Sequence, residues 1–99
     1  MHLLFDESDL PSIKESLRKA YPDTKPTHRM EAAAKGLGYS TYAGLLTSLK
    51  VGRIPVAADD AVFCSSLNVP SLTEKGRPIR SLSRAVARAM LRRALEEHP

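Results

Sequence analysis

Glu31-Ala32-Ala33-Ala34-Lys35-Gly36-Leu37-Gly38-Tyr39-Ser40-Thr41-Tyr42-Ala43-Gly44-Leu45 is the stretch on which the fold of this 99-residue chain turns. Met30, Ala33, Ala34 and Leu37 recur at i, i+3, i+4 and i+7, one face of a helix that Thr27 is placed to cap. Gly38 is suited to the left-handed conformation that ends a helix. Ser40 can cap the next helix, whose face is Tyr42, Leu45, Leu46 and Leu49 and which Gly52 closes. The pattern predicts a tight αα-hairpin over residues 27–51, with Gly38-Tyr39-Ser40 at its corner.

Outward from the hairpin, Asp9 can cap a first helix with Pro11 tolerated in its first turn. Leu10, Ile13, Leu17, Ala20 and Tyr21 form its apolar stripe, and Tyr21-Pro22 stops it. Ile54-Pro55-Val56 reads as an extended linker or a short edge strand, for which Leu3–Phe5 is the available partner. Asp59 can cap a short helix carrying Val62, Phe63 and Leu67 and ended by Asn68 and Pro70. Ser71-Leu72-Thr73-Glu74 matches a capping box, interrupted by Gly76 and Pro78. The last and longest helix is expected over residues 78–97. The fold class is therefore all-α: one domain, 1–99, of about five helices with at most one minor strand pair.

Ninety-nine residues suit one domain with one modest core. No apolar run approaches the roughly 20 residues that span a bilayer. The acidic Asp6, Glu7 and Asp9 follow the opening Met-His-Leu-Leu-Phe, unlike the basic start of a secretory signal. A lone Cys64 cannot form an internal disulfide, which favours a reducing compartment. The expectation is a cytoplasmic protein with no membrane partner. The net charge of +4 favours acidic partners such as nucleic acid, and it also aids solubility.

The hairpin resembles a helical module of small bacterial proteins that are often associated with the glyoxalase superfamily and occur on plasmids and integrative elements. The recurring positions of that module look like Glu31, Ala34, Leu37, Gly38, Tyr39, Tyr42 and Leu45 here. The resemblance implies the hairpin and an accessory protein of mobile-element type. It implies no lyase activity, because the His/Glu metal ligands of glyoxalases have no counterpart. The stretch also resembles a helix-turn-helix in part: Ala34 and Gly38 have the small-residue spacing of closely crossing helices, but Gly44 stands where that template has a branched apolar residue. In that reading Ser40 and Thr41, at the start of the second helix, would offer hydroxyls and free N–H groups to phosphates.

Charge gives the strongest functional signal. From Gly76 to Leu95 every charged residue is an arginine. Ile79, Leu82, Val86, Ala89 and Met90 cluster on one side of the last helix, and Arg80, Arg84, Arg88 and Arg92 on the other, with Arg77 just before. Three readings are open: a solvated face, a phosphate-binding row using bidentate guanidinium contacts, or a surface for an acidic protein. Leu91 and Leu95 fall within the arginine face, either as a second packed side or as an exposed contact rimmed by arginine. Arg93 points to the apolar side and must snorkel or meet an acid.

Catalytic candidates are weak. Cys64 follows Phe63 in an apolar helix and reads as a buried structural thiol. His28 lies in a first helical turn, and His2 and His98 lie near the ends. Asp59 and Asp60 look like a cap and a dipole-favourable acid rather than a paired-carboxylate site. No Gly-rich phosphate loop, metal-ligand spacing or nucleophile elbow is present. The expectation is a protein that is not an enzyme, with no catalytic, cofactor or metal residues and no cofactor. It is expected to bind an acidic macromolecule. Nucleic acid comes first, through Arg77, Arg80, Arg84, Arg88 and Arg92 with Ser40 and Thr41 assisting. The rival is a protein–protein module, such as an inhibitor of a host complex, that uses Leu91 and Leu95.

Overall fold

The structure, a computed structural model, describes residues 3–97, the side chain of Leu3 apart; His2 and His98 lie outside the described residues. In chain order the elements are β1 Leu3–Phe5, α1 Leu10–Ala20, α2 Pro26–Gly36, α3 Tyr42–Val51, β2 Ile54–Val56, α4 Asp60–Leu67 and α5 Ser81–Glu97. A 3-10 turn at Glu7–Asp9 leads into α1. The described residues thus form a small, mainly α domain of five α-helices with one minor antiparallel sheet. In that sheet Leu3 faces Val56, Leu4 faces Pro55 and Phe5 faces Ile54, the strand pair expected from sequence.

One core joins all the elements. Phe5, Ile13, Leu17, Leu45, Phe63 and Leu82 are each almost wholly removed from water. Ala32, Ala33 and Ala34 keep α2 thin where it lies against α4, and α1 runs along α5. The closest crossing uses a glycine that the sequence pattern did not single out. A Cβ at Gly36 would overlap the Leu82 Cδ2 methyl and stand 3.1 Å from both the Asp59 carbonyl oxygen and Phe63 Cβ. Gly38, paired with Ala34 by the small-residue spacing, instead has nothing near its Cβ direction and serves the corner with φ +94°.

Several element ends differ from the expected ones. Lys25 precedes α2 and Pro26 opens it, because proline's fixed φ suits a first helical position; Thr27 is already inside. At the hairpin corner Thr41, not Ser40, caps α3 by accepting from Gly44 N at 3.0 Å. Asp9 stands before α1 without capping it. Its Oδ2 accepts from Asp6 N at 2.9 Å, closing the 3-10 turn. The Ser71–Glu74 capping pattern starts no helix, and α5 begins at Ser81 rather than at residue 78. Pro78 bridges back to Leu72, which draws residues 71–79 into a closed turn. Ala20, placed in the stripe of α1, is exposed.

Candidate functional site

The start of α5 is fixed by a carboxylate from another helix. Asp60, in the first turn of α4, accepts from Leu82 N at 3.1 Å and Ser83 N at 3.0 Å through Oδ1, and from Ser83 Oγ at 2.7 Å through Oδ2. Its neighbour Asp59 caps α4 by accepting from Val62 N at 3.1 Å. The adjacent acids therefore cap two different helices. Tyr21 adds a second tie: its ring lies 5.8 Å from that of Phe63, and its hydroxyl lies 2.8 Å from Ser81 Oγ. Burial raises the Tyr21 phenol above its ordinary pKa, so the group stays neutral under the first turn of α5.

Near its other end α5 is held by Arg93. The sequence required this residue to snorkel or find an acid, and it does the second. Its Nε lies 3.2 Å from Asp9 Oδ1, and its Nη2 donates to the Leu4 carbonyl at 2.7 Å. Asp9 is 1% exposed, so this is a buried ion pair. Neither Asp9 Oδ1 nor Arg93 Nε has an aligned hydrogen bond, so the contact rests on proximity of charge. Arg53 ties the same corner, reaching Asp6 at 3.3 Å and Glu97 at 2.6 Å.

Between these anchors α5 forms one wall of a cleft of about 720 Å³. Arg84 and Arg88 line this wall about 6 Å apart along the helix, and Arg80, immediately before α5, lines the cleft one turn earlier. The facing surfaces are the 71–79 turn, with Lys75 and Arg77, and the end of α1, where Ser16 and Ala20 leave the trough open. Five cations thus meet one carboxylate, Glu74, among the lining residues. No described ion pair or side-chain hydrogen bond occupies Lys75, Arg77, Arg80, Arg84 or Arg88, unlike Arg18, Arg53 and Arg93, which each have an acid.

The remaining singled-out residues are placed elsewhere. Arg92 faces a neighbouring groove with Ser12 and Asp9, and lies 3.8 Å from Glu96. Ser40 and Thr41 do not line the cleft. Their helix start is already served, with Tyr42 N donating to Glu31 Oε2 at 3.1 Å beside the Thr41 cap. Leu91 and Leu95 are 63% and 64% exposed and continue the arginine row toward the end of α5. Cys64 is buried, and burial raises its thiol pKa, which opposes thiolate formation. His28 Nε2 lies 3.0 Å from the Ser66 carbonyl, linking α2 to α4. Arg29 is buried and donates through Nη1 to the Tyr21 and Thr24 carbonyls, holding the α1–α2 loop.

Chemically the cleft can hold an anion by bidentate guanidinium contacts. Its hydroxyls, on Ser16, Thr73 and Ser81, have no histidine or aspartate beside them among the described lining residues. Among the described residues no group of histidine, cysteine, aspartate and glutamate could hold a metal ion, and no helix is long and apolar enough to cross a membrane. No family model, no curated protein and no solved structure matches the chain.

Proposed function

We propose that this chain is a small, non-enzymatic accessory protein, of the mobile-element type that its hairpin resembles, and that it binds nucleic acid through the sugar–phosphate backbone. One observation carries the reading: Lys75, Arg77, Arg80, Arg84 and Arg88 converge on one cleft with no described acid paired to any of them. Surface arginines that only solvate a face commonly pair at i, i+4 with acids, as Arg92 does with Glu96. A row without such partners keeps its charge for a ligand. Arg92 contributes little in this reading, and Ser40 and Thr41 contribute nothing.

Binding should therefore weaken steeply with salt, by about 0.9 log units per log unit of salt for each phosphate neutralised. Five contacts, one for each of these cations, give a slope of about −4.5 on that basis. Arg84→Ala and Arg88→Ala should each flatten it by about one unit and weaken unrelated sequences alike, since phosphate contacts carry no base information. Gel retardation with mixed double- and single-stranded DNA and RNA at low salt tests this. No retardation of any of them at micromolar protein would refute the proposal.

A second reading rests on Leu91 and Leu95, whose exposure suits a protein partner. It expects Leu91→Ala and Leu95→Ala to weaken capture of that partner as much as the arginine changes do, with mild salt dependence.

A further inference from the structure

The two walls of the cleft differ in construction, and both carry cations. One is the pair Arg84 and Arg88 on α5, with Arg80 immediately before its first residue. The other is the 71–79 turn, closed on itself by backbone bonds. Thr73 N donates to the Arg77 carbonyl at 2.8 Å, Gly76 N to the Thr73 carbonyl at 2.9 Å and Ile79 N to the Ser71 carbonyl at 3.1 Å. Arg77 N donates to Thr73 Oγ1 at 3.1 Å, and Gly76 takes φ +74°, a conformation open to glycine at little cost. This turn presents Lys75 and Arg77, and every residue from Ser71 to Pro78 is exposed. The arrangement is a trough with charge on both sides.

No aromatic side chain lines the trough. Tyr21 is packed on Phe63, while Tyr39 and Tyr42 are half-buried at the hairpin corner. Proteins that grip single strands stack the unpaired bases on aromatic rings. A duplex keeps its bases stacked inside and offers phosphates on a ridge, so it needs no such ring. The trough is the size of a small-molecule site, too small for the width of a duplex but open to one backbone.

We infer that the ligand is double-stranded nucleic acid, with one sugar–phosphate ridge seated between the 71–79 turn and α5. Arg80, Arg84 and Arg88 hold the ridge from one side, Lys75 and Arg77 from the other. The inference rests on the nucleic-acid reading of the same cleft and adds which form of nucleic acid it takes.

Fluorescence anisotropy with the full chain tests it, using a short labelled duplex and each of its two strands at matched salt. The duplex should bind at least about tenfold more tightly than either strand, because its denser charge releases more counterion per phosphate neutralised, about 0.9 against about 0.7, and the strands gain no stacking to offset this. The double variant Lys75→Ala/Arg77→Ala should flatten the duplex salt slope by about 1.8 while its circular-dichroism melting curve stays that of the parent. Strands that bind as tightly as the duplex would overturn the inference and leave the nucleic-acid reading standing. An unchanged slope in the double variant would overturn the two-sided seating. Absence of binding to duplex and strands alike would overturn both.

Discussion

Gly36→Ala is the sharpest test of the packing that positions the cleft. On helix propensity alone the change should stabilise α2, by at most about 0.8–1 kcal/mol, the value for a helix interior, since Gly36 is its last residue. Packing opposes it. The new methyl would overlap Leu82 Cδ2 and stand 3.1 Å from Phe63 Cβ and from the Asp59 carbonyl. Leu82 and Phe63 are fully buried, and the Asp59 backbone is held because its N–H donates to the Gly36 carbonyl at 2.8 Å. Overpacking of such a site costs about 1–3 kcal/mol. With contacts on three sides the upper part of that range applies, leaving a net loss of about 1–2 kcal/mol. In a domain this size each kcal/mol lowers Tm by about 4–8 °C. Urea and thermal unfolding followed by circular dichroism would measure it, with the exposed Lys35→Ala on the same helix as a control expected to stay within about 0.5 kcal/mol. A Gly36→Ala protein that melts at or above the parent would refute the close crossing of α2 with α4 and α5.

Gly38→Val should cost more than about 1 kcal/mol for a different reason, because a branched residue is forced to positive φ in open space; parental stability would contradict the corner. Arg93→Met should cost about 3 kcal/mol by leaving Asp9 buried without its cation, and Asp9→Asn in that background should recover part of the loss. A change under about 0.5 kcal/mol would show the pair to be idle. Burial raises the Cys64 thiol and the Tyr21 phenol, so the unfolded chain releases these protons at lower pH than the folded one. Their contribution is complete below the ordinary thiol value; its loss starts above about 8.5 for the thiol and above about 10 for the phenol and runs up to the raised folded values. The urea midpoint should fall over that range, with Cys64→Ala flattening its first part. A midpoint independent of pH between about 8.5 and 10 would count against burial of Cys64, and one that stays flat beyond about 10 against burial of Tyr21.

The elements were legible where the signal is local. Leu10, Ile13 and Leu17 write the buried stripe of α1 directly, and Asn68 ends α4 as expected, doing so in the left-handed conformation. The strand pair could be proposed because residues 3–5 and 54–56 are the two short apolar segments left without a helix. Arg93 was legible as a misfit on an apolar face, and the misfit named the kind of partner it found. What escaped the sequence is set by contacts between distant elements. Nothing near Gly36 announces Leu82, and nothing near Asp60 announces that it will cap α5 at Leu82, 22 residues on. The Ser71–Glu74 motif satisfies a local rule that Pro78 overrides by pairing with Leu72. For the site, periodicity gave the arginine row, but the turn that faces it depends on how residues 71–79 close. Arg92 lines a neighbouring groove instead of the cleft; its i, i+4 acid Glu96 was readable from spacing, but the groove it faces was not.

Because Asp60 grips α5 at its first turn and Arg93 near its last, the helix behaves as a beam clamped at both ends. A ligand meeting the span between the clamps finds a backbone whose freedom was already removed by folding. The ordering left to association falls on a few long side chains, roughly 0.5–1.5 kcal/mol for each one immobilised. Association should accordingly proceed without a slow rearrangement step, and its heat-capacity change should reflect the contact surface alone. Loosening either clamp would transfer backbone entropy from folding to binding, weakening affinity at a distance from every atom the ligand touches.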